Sequence, residues 1–353
     1  MKKLRVGVLG ATGLVGQHYV RLLQEHPLFE IAFLAASPES AGRNYSDVLL
    51  QKGPLFDGIR VDREVYRIDE IDRAQELCDF VFSAVGGDVA KRFEPLYAAA
   101  GLPVLSNASS HRGEPDVPLL IPEVNPEHLR IIPVQQKNRG WDKGFIVAKP
   151  NCSLQSYMIP LYPLHQKFGV KKLVITTLQA VSGAGHPGIS SLNMIDNIVP
   201  YIAGEEEKSE IEPLKIFGKI EGTGIQPAQG ISISAHCNRV PVLDGHTACV
   251  SVLFEKKPDF EEVLQIWKEF RGLPQQLKLP SAPLQPLLYR QEKDRPQPRL
   301  DRQAEGGMAV TLGRLRDCPV FHYRFVALSH NALRGAAMGG VLNAELLQSQ
   351  GYL

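Results

Sequence analysis

LRVGVLGATGLVG, Leu4 to Gly16, decides the fold. Leu4 to Leu9 is an apolar run of strand length. Gly10, Gly13 and Gly16 follow at three-residue spacing, and Val15, Tyr19, Leu22 and Leu23 then form an apolar stripe at helical spacing. Strand, glycine turn and helix in that order open a dinucleotide-binding unit. The glycines, with Thr12 among them, let the backbone approach a pyrophosphate, and the helix start at Leu14 and Val15 offers free N–H groups and partial positive charge. The spacing is G-x-x-G-x-x-G and not G-x-G-x-x-G, so the turn is a variant one.

Further alternation of strand and helix follows. EIAFLAAS is a second strand ending near Ser37. Chains that hold NAD through its ribose hydroxyls carry an acid at this point. Here Ser37, Ser40 and Arg43 stand instead; hydroxyls and a guanidinium suit a 2′-phosphate, which favours NADP, although Arg43 reads equally as a solvated loop charge. CDFVFSAVGGDVAKRFEPLYAAAG gives strand, glycine turn and helix, placing Ser83, Ala84 and Gly86 at a strand's carboxyl end, where such folds bind their ligand. LPVLSNAS is another strand. The first half, residues 1–150, is therefore expected to be a Rossmann-like, parallel α/β domain that binds NADP.

From Asn151 the pattern changes. A helix is expected from Ser156 to Phe168, with Pro160 and Pro163 on its path. KKLVITTLQAVSG, ISISAHCNRVPV, HTACVSVLFEK and FHYRFVAL read as long strands without intervening helical crossovers. Residues 151–330 are thus expected to form an α+β catalytic and dimerisation domain on a mixed sheet. Pro274 to Pro298, rich in Pro, Gln and Leu, reads as an extended loop or arm. The tail, residues 331–353, has helical spacing and is expected to pack back on the first domain.

Composition narrows the function. Lys and Arg number 39 against 38 Asp and Glu, with no basic tract, so nucleic acid and anionic membranes are not expected partners. No apolar stretch reaches bilayer-spanning length, and the N-terminal apolar run breaks at Gly10 without a cleavage site; the reading is a cytoplasmic protein. The five cysteines are odd in number, widely spaced and without C-x-x-C, which argues against a disulfide framework or a zinc site, and no metal is expected. Cys78, Cys237, Cys249 and Cys318 sit in strand or core contexts. Cys152, in KPNCSLQS, follows a strand and opens a helix, whose N-terminus would lower a thiol's pKa from its free value of roughly 8.5. A thiol nucleophile needs a proton-handling partner, and His246, in RVPVLDGH, stands in a turn between strands with Arg239 before it. Each of these residues also has an ordinary structural reading.

Five motifs in register decide between those readings. GATGLVG, SNASSHR (Ser106–Arg112), PNCS (Pro150–Ser153), LQAVSGAG (Leu178–Gly185) and RVPVLDGH (Arg239–His246) resemble the aspartate-semialdehyde dehydrogenase family, in its archaeal and fungal branch, along essentially the whole chain. The resemblance implies NADPH-dependent reductive dephosphorylation of L-4-aspartyl phosphate to L-aspartate 4-semialdehyde, in lysine, threonine and methionine biosynthesis. Cys152 would carry a thioester, His246 would be general base and acid, and Gln179 would orient the intermediate. Arg239 would bind the substrate carboxylate, Glu205 its ammonium, and Lys208 and Arg112 the phosphate. Ser182, Gly183, Gly185 and Asn331 would line the nicotinamide side. The run GEEEKSE leaves the register of Glu205 and Lys208 open, since such a run is also an ordinary solvated helix face. Malonyl-CoA reductase and N-acetyl-glutamyl-phosphate reductase use similar chemistry, and a dinucleotide-binding scaffold without turnover is the non-enzymatic alternative. A homodimer or homotetramer is expected from the sheet face that the second domain leaves to bury.

Overall fold

The glycine turn lies where two layers of chain meet the carboxyl edge of a parallel sheet. A computed structural model describes residues 2–52, 58–185 and 188–353. Strands β1 (Leu4–Leu9), β2 (Phe29–Ala36), β3 (Val65–Arg67), β4 (Phe80–Ser83), β5 (Val104–Ser106) and β6 (Ile146–Ala148) form one six-stranded sheet in the order β3-β2-β1-β4-β5-β6. Every pairing in it is parallel. Helices α1 (Leu14–Leu23), α2 (Tyr45–Lys52), α3 (Ile71–Leu77), α4 (Gly87–Ala99) and α5 (Ile132–Arg139) occupy the connections. β4 and β5, inside the sheet, are buried along their whole length, as strands covered on both faces must be, and so is the edge strand β6. Strand order reverses between β1 and β4, which opens a crevice at their carboxyl ends.

Five residues, 149–153, carry the chain from β6 into α6 (Leu154–Phe168) and the second sheet. α6 begins two residues earlier than expected and carries both Pro160 and Pro163 inside it. The kink-prone stretch is held by packing, since buried Trp267 donates its Nε1–H to the Pro160 carbonyl at 3.0 Å. The second sheet contains β7 (Val170–Gln179), β10 (Ser232–Arg239), β11 (His246–Phe254), β12 (Leu287–Arg290), β13 (Val310–Asp317) and β14 (Tyr323–Ser329), ordered β10-β7-β11-β14-β13-β12. β10 and β12 pair in parallel and the inner pairs are antiparallel, so the sheet is mixed. A small ribbon, β8 (Lys219–Glu221) with β9 (Gly224–Gln226), stands apart. α6 and α9 (Phe260–Glu269) cover one face; the other carries exposed Val174, His236, Cys249 and Arg324. α7 (Ser191–Met194) and α8 (Glu205–Ile216) lie between β7 and β8 in sequence.

Two expectations need correction. Cys249 lies on a strand, yet its alternation points it to the open face, so it is exposed and not core. The segment 274–302 is no free arm. It holds α10 (Leu273–Gln276), the edge strand β12 and α11 (Pro298–Asp301), and it docks onto the first sheet's layer. The Ser281 hydroxyl and backbone N–H both donate to the buried Glu345 carboxylate on the last helix, α12 (Ala337–Ser349). Proline and glutamine composition hides such an anchor because the bonds are made by a partner more than sixty residues away.

α12 packs on α1, and Gly340 is required there, since a Cβ would stand 1.9 Å from the Tyr19 hydroxyl. The segment preceding α12 is pinned by Arg334, whose Nη1 and Nη2 donate to the two oxygens of Glu123 at 2.8 and 2.5 Å. Arg334 is 1% exposed and Glu123 2%. Breaking such a buried pair from one side leaves a bare charge and costs about 3–5 kcal/mol. Arg334→Ala is expected to lose that much in urea unfolding, and the Glu123→Leu/Arg334→Met double variant is expected to lose less than the single one.

Candidate active site

The carboxyl ends of β1, β2 and β4 frame a cavity of about 580 Å³ lined by Gly10, Thr12, Gly13, Ser37, Ala84 and Gly86. Gly10 has φ +78°, and a Cβ on it would stand 2.7 Å from the Ala84 carbonyl; one on Gly16 would stand 2.1 Å from the Gly10 carbonyl. Only glycine allows this turn. α1 and α4 start at N-cap residues Gly13 and Gly86, neither with a side-chain cap, so first-turn N–H groups are left for an anion. Close backbone, two uncapped helix starts and an elongated cavity fit a dinucleotide. Leu14 and Val15 open α1 half-buried and outside the cavity lining, and Ser83 is fully buried at the end of β4, likewise outside it.

The adenine-ribose end differs from expectation. Ser40 is fully buried with no partner for its hydroxyl, and Arg43 donates to Gln51 at 2.5 Å; neither lines the cavity. Arg67 and Arg92 do, with Asp69 beside them. Arg67 stands opposite Ala36 in strand register, next to Ser37, and pairs with both Asp69 oxygens at 2.9 and 2.7 Å. The charge of β3, and not that of the loop after β2, thus lines this end of the cavity; parallel pairing brings it there, and no local motif records it.

Cys152 sits in the crossing from β6 to α6, and its Sγ lies 3.3 Å from Nε2 of His246 on β11. Across the ring, Nδ1 accepts the backbone N–H of Ala180 at 3.0 Å. The Ala180 carbonyl in turn accepts Nη1 of Arg239 at 2.7 Å, leaving that side chain's buried Nε without a partner. Gly183 adjoins both, since a Cβ there would stand 2.8 Å from Arg239 Nη1 and 3.1 Å from His246 Nε2. Asn331 fastens the turn before His246: its Oδ1 accepts the Gly245 N–H and its Nδ2 donates to the Ser182 hydroxyl, both at 2.8 Å. Gly185 ends the short turn Val181–Ala184, to which Ser182 belongs, with φ +74°.

Loss of water dominates the charges here. Burial, reinforced by Glu205, pushes the Cys152 thiol up to about 12, against the pull of Arg112 and Arg239. The expected gain from the helix start is therefore outweighed by burial. Burial and Arg239 hold the His246 ring down to about 3. Burial thus favours the neutral form of both groups.

Two residues of the acidic run, Glu205 and Lys208, fall into register at the site. Glu205 is the N-terminal residue of α8 and faces the site: its carboxylate accepts Asn151 Nδ2 at 2.8 Å on each oxygen, Gln179 Nε2 at 3.1 Å and Lys208 Nζ at 2.9 Å. Burial would raise its pKa, but Lys208, Gln179 and Asn151 hold it below the usual carboxylate range. Glu206 points elsewhere, accepting the Cys237 N–H on the edge strand β10, and Glu210 accepts that of Ala235. Arg112 reaches the site committed to Glu212 and to the Asn107 carbonyl, both at 2.9 Å, with Nε unpartnered. Arg112 and Lys208 also share a neighbouring cavity of about 360 Å³.

Sequence reading missed Asn151, Glu212, Ala180 and Lys149. Glu212 was within reach, seven residues from Glu205 and so on the same helix face. Lys149, directly after β6, is 3% exposed. Among the described residues no group of His, Cys, Asp and Glu is arranged to hold a metal, and no helix is long and apolar enough to cross a membrane.

A dinucleotide cavity beside a cysteine–histidine pair, in a parallel domain joined to a mixed sheet, defines a dehydrogenase of the thiol-dependent class. Residues 5–132 match the semialdehyde dehydrogenase NAD binding domain and residues 161–334 the semialdehyde dehydrogenase dimerisation domain. The aspartate-semialdehyde dehydrogenase of Methanothermobacter thermautotrophicus is 47% identical over 98% of this chain and 99% of its own. That of Cryptococcus neoformans is 44% identical over 99% and 98%. A crystal structure of aspartate semialdehyde dehydrogenase with NADP from Candida albicans superposes with a TM-score of 0.89 at 41% identity, covering 99% of this chain and all of that one. The chain belongs to the aspartate-semialdehyde dehydrogenase family.

Burial and the neighbouring Arg334 push the Lys149 ammonium down to about 7. The unfolded chain keeps that proton up to roughly pH 10.4. Between those values the unfolded state binds more protons, so this residue's destabilisation is full below pH 7 and relieved as pH rises. Lys149→Met is expected to raise the melting temperature most at pH 6, with the difference from the parent shrinking toward pH 10.

Proposed function

We propose that the chain catalyses the NADPH-dependent reductive dephosphorylation of L-4-aspartyl phosphate to L-aspartate 4-semialdehyde and phosphate, reversibly, through a thioester on Cys152. The observation that carries this reading is the Cys152 Sγ placed 3.3 Å from His246 Nε2, at the carboxyl edge of the sheet that frames the dinucleotide cavity. A bound nicotinamide dinucleotide supplies or accepts the hydride. The chain's own residues do the rest. Sulfur attacks the acyl carbon and holds it in place, since a thiolate is a strong nucleophile whose acyl adduct stays reactive. His246 faces the sulfur and so also faces the oxygen of any adduct formed there.

The substrate carries a carboxylate, an ammonium and a phosphate, and the site offers a counterpart for each. Arg239 is held by one nitrogen and offers the rest of its planar fork to the carboxylate. Glu205 is the buried anion for the ammonium, with Gln179 and Asn151 keeping it aimed. Arg112 and Lys208 flank the adjoining cavity as the phosphate cations. An acylated amine would leave Glu205 without a purpose, which favours the free amino acid over an N-acetylated relative. At the cofactor's far end, Arg67 and Arg92 take the 2′-phosphate role that Arg43 cannot reach.

The matched dimerisation domain supports self-association. The open face of the mixed sheet, with Val174 39% exposed beside Cys249 on the next strand, is the surface for a second copy, giving a homodimer or a pair of them in the cytoplasm. Residues 1–150 bind the cofactor in this scheme, residues 151–330 hold the substrate and the partner copy, and residues 331–353 return to the first domain.

Purified protein is expected to reduce NADP with aspartate semialdehyde only when inorganic phosphate is present, and Cys152→Ala is expected to abolish the reaction while keeping NADP binding. No turnover from a folded, NADP-binding protein sinks the assignment and moves the test to malonyl-CoA. In calorimetric titrations, Arg67→Ala and Arg92→Ala are expected to weaken NADP binding about tenfold each with little change for NAD, whereas Arg43→Ala is expected to leave both unchanged. A loss of NADP affinity in Arg43→Ala alone would overturn the placement.

A further inference from the structure

Arg112 stands on the segment Ser106–Glu114, which leaves β5 and is fastened to its surroundings at several points. Asn107 Nδ2 donates to the Tyr19 hydroxyl at 2.6 Å, and the Ser110 hydroxyl donates to the Gly87 carbonyl in the first turn of α4, also at 2.6 Å. From α8, Lys215 Nζ donates to the Arg112 and Glu114 carbonyls at 2.7 and 2.5 Å. His111, one residue before the arginine, makes the charged contacts and is 3% exposed. Its Nδ1 lies 2.7 Å from Glu114 Oε1, and its Nε2 lies 3.5 Å from Oε2 of Glu94 on α4. Glu94 is fully buried, and its other oxygen accepts the Ser106 hydroxyl at 2.7 Å. The same helix gives Val89, Arg92 and Phe93 to the wall of the dinucleotide cavity.

We propose that His111 is a positioning residue for the phosphate step: bridging Glu94 and Glu114, it clamps the segment Ser106–Glu114 onto the cofactor helix and so keeps Arg112 aimed at the phosphate. This rests on the reading of Arg112 as a phosphate cation. A neutral imidazole has one N–H to give and an imidazolium has two. With a carboxylate at each ring nitrogen, only the cation serves both. Burial opposes that charge, but Glu114 and Glu94 outweigh it and raise the His111 pKa above its ordinary value. Burial raises the Glu94 pKa too, and the ring is the cation that favours its ionised form.

The groups facing the ring come from three sides. Glu94 belongs to α4 and Glu114 to the segment itself. Arg139 on α5 pairs with Glu114 from behind and donates Nε to Asp116 at 2.9 Å. Burial opposes ionisation of Glu114, yet His111 and Arg139 hold its pKa down to about 2, so this side of the clamp stays charged. The variable partner is the ring. Its folded pKa lies above the unfolded one, so the clamp is complete at low pH and is lost as pH rises through the folded value. Arg112 feels the loss because a planar fork binds phosphate only when aimed, and its backbone is carried by the clamped segment.

The test is NADP reduction with aspartate semialdehyde at varied inorganic phosphate, in the parent, His111→Leu and Glu94→Gln, from pH 6 to 9. At pH 6, His111→Leu is expected to raise the phosphate KM about tenfold, as a misaimed binding group does, with kcat and the KM for NADP within about twofold of the parent. The ratio of variant to parent KM cancels the ionisation of phosphate itself, and it is expected to fall toward one as pH rises. Glu94→Gln keeps an acceptor for Ser106 and removes one charge, so its phosphate KM is expected to climb at a lower pH than the parent's. An unchanged phosphate KM in His111→Leu, or a matching rise in the KM for NADP with loss of kcat, would overturn the proposal. Histidine NMR on the unliganded parent and on Glu94→Gln gives a reading that needs neither turnover nor the leucine variant. The His111 ring, assigned through its backbone, is expected to stay doubly protonated above its ordinary ~6.5 and to titrate lower in Glu94→Gln. A ring that titrates at or below pH 6.5, or one indifferent to Glu94→Gln, would overturn the clamp. Absent turnover in the parent with a doubly protonated ring would sink the assigned reaction, and the phosphate role with it, while the clamp stands.

Discussion

Asn151 commits each of its polar groups to the turn that presents Cys152. Its side-chain oxygen accepts both the N–H and the hydroxyl of Ser153, at 2.9 and 2.7 Å. Its amide donates to Glu205, and its backbone N–H donates to Glu212 at 2.7 Å. One residue thereby joins the end of the parallel sheet, the start of α6 and the site face of α8. The nucleophile is held between two domains because this side chain is shared between them. Remove that side chain, and Glu205 loses a donor on each oxygen in a place where water is scarce.

The electrostatic plan follows from that junction. Lys149, Arg112, Lys208 and Arg239 gather around one thiol, with Glu205 and Glu212 as the counter-charges. Two nitrogens of this set, Arg112 Nε and Arg239 Nε, are buried without a partner. Buried cations in excess of their anions favour an anionic guest, and a substrate with a phosphate and a carboxylate is such a guest. Burial pushes the thiol pKa up and the imidazole pKa down, the complement of this design: donors already stand in place for the charge that a substrate brings.

Much of this was legible in the chain. GATGLVG named the turn, because only glycine can place backbone so near backbone, and a steric need of that kind leaves a pattern in consecutive residues. The strands of the second domain were legible from their length, and α6 nearly to its first residue. The acidic run resolved by helical geometry alone: Glu205, Lys208 and Glu212 share one face, Glu206 and Glu210 another. Arg43 and Ser40 lie outside the cavity lining, whose far end is walled by the neighbouring strand β3 as well as by the loop after β2, a placement no local pattern records. The segment 274–302 misled because its fasteners, Glu123 and Glu345, lie far off in sequence.

By itself the sequence determined the nucleotide turn, the order of the motifs and hence the family, since each depends on residues close together along the chain. Tertiary structure alone decided how the chemistry is charged. How far Cys152 and His246 are pushed toward their neutral forms, and which arginines line the far end of the cavity, depend on burial and on partners brought from β10, α8 and β3. Those are properties of an enclosed volume, where the loss of water outweighs any residue's intrinsic preference.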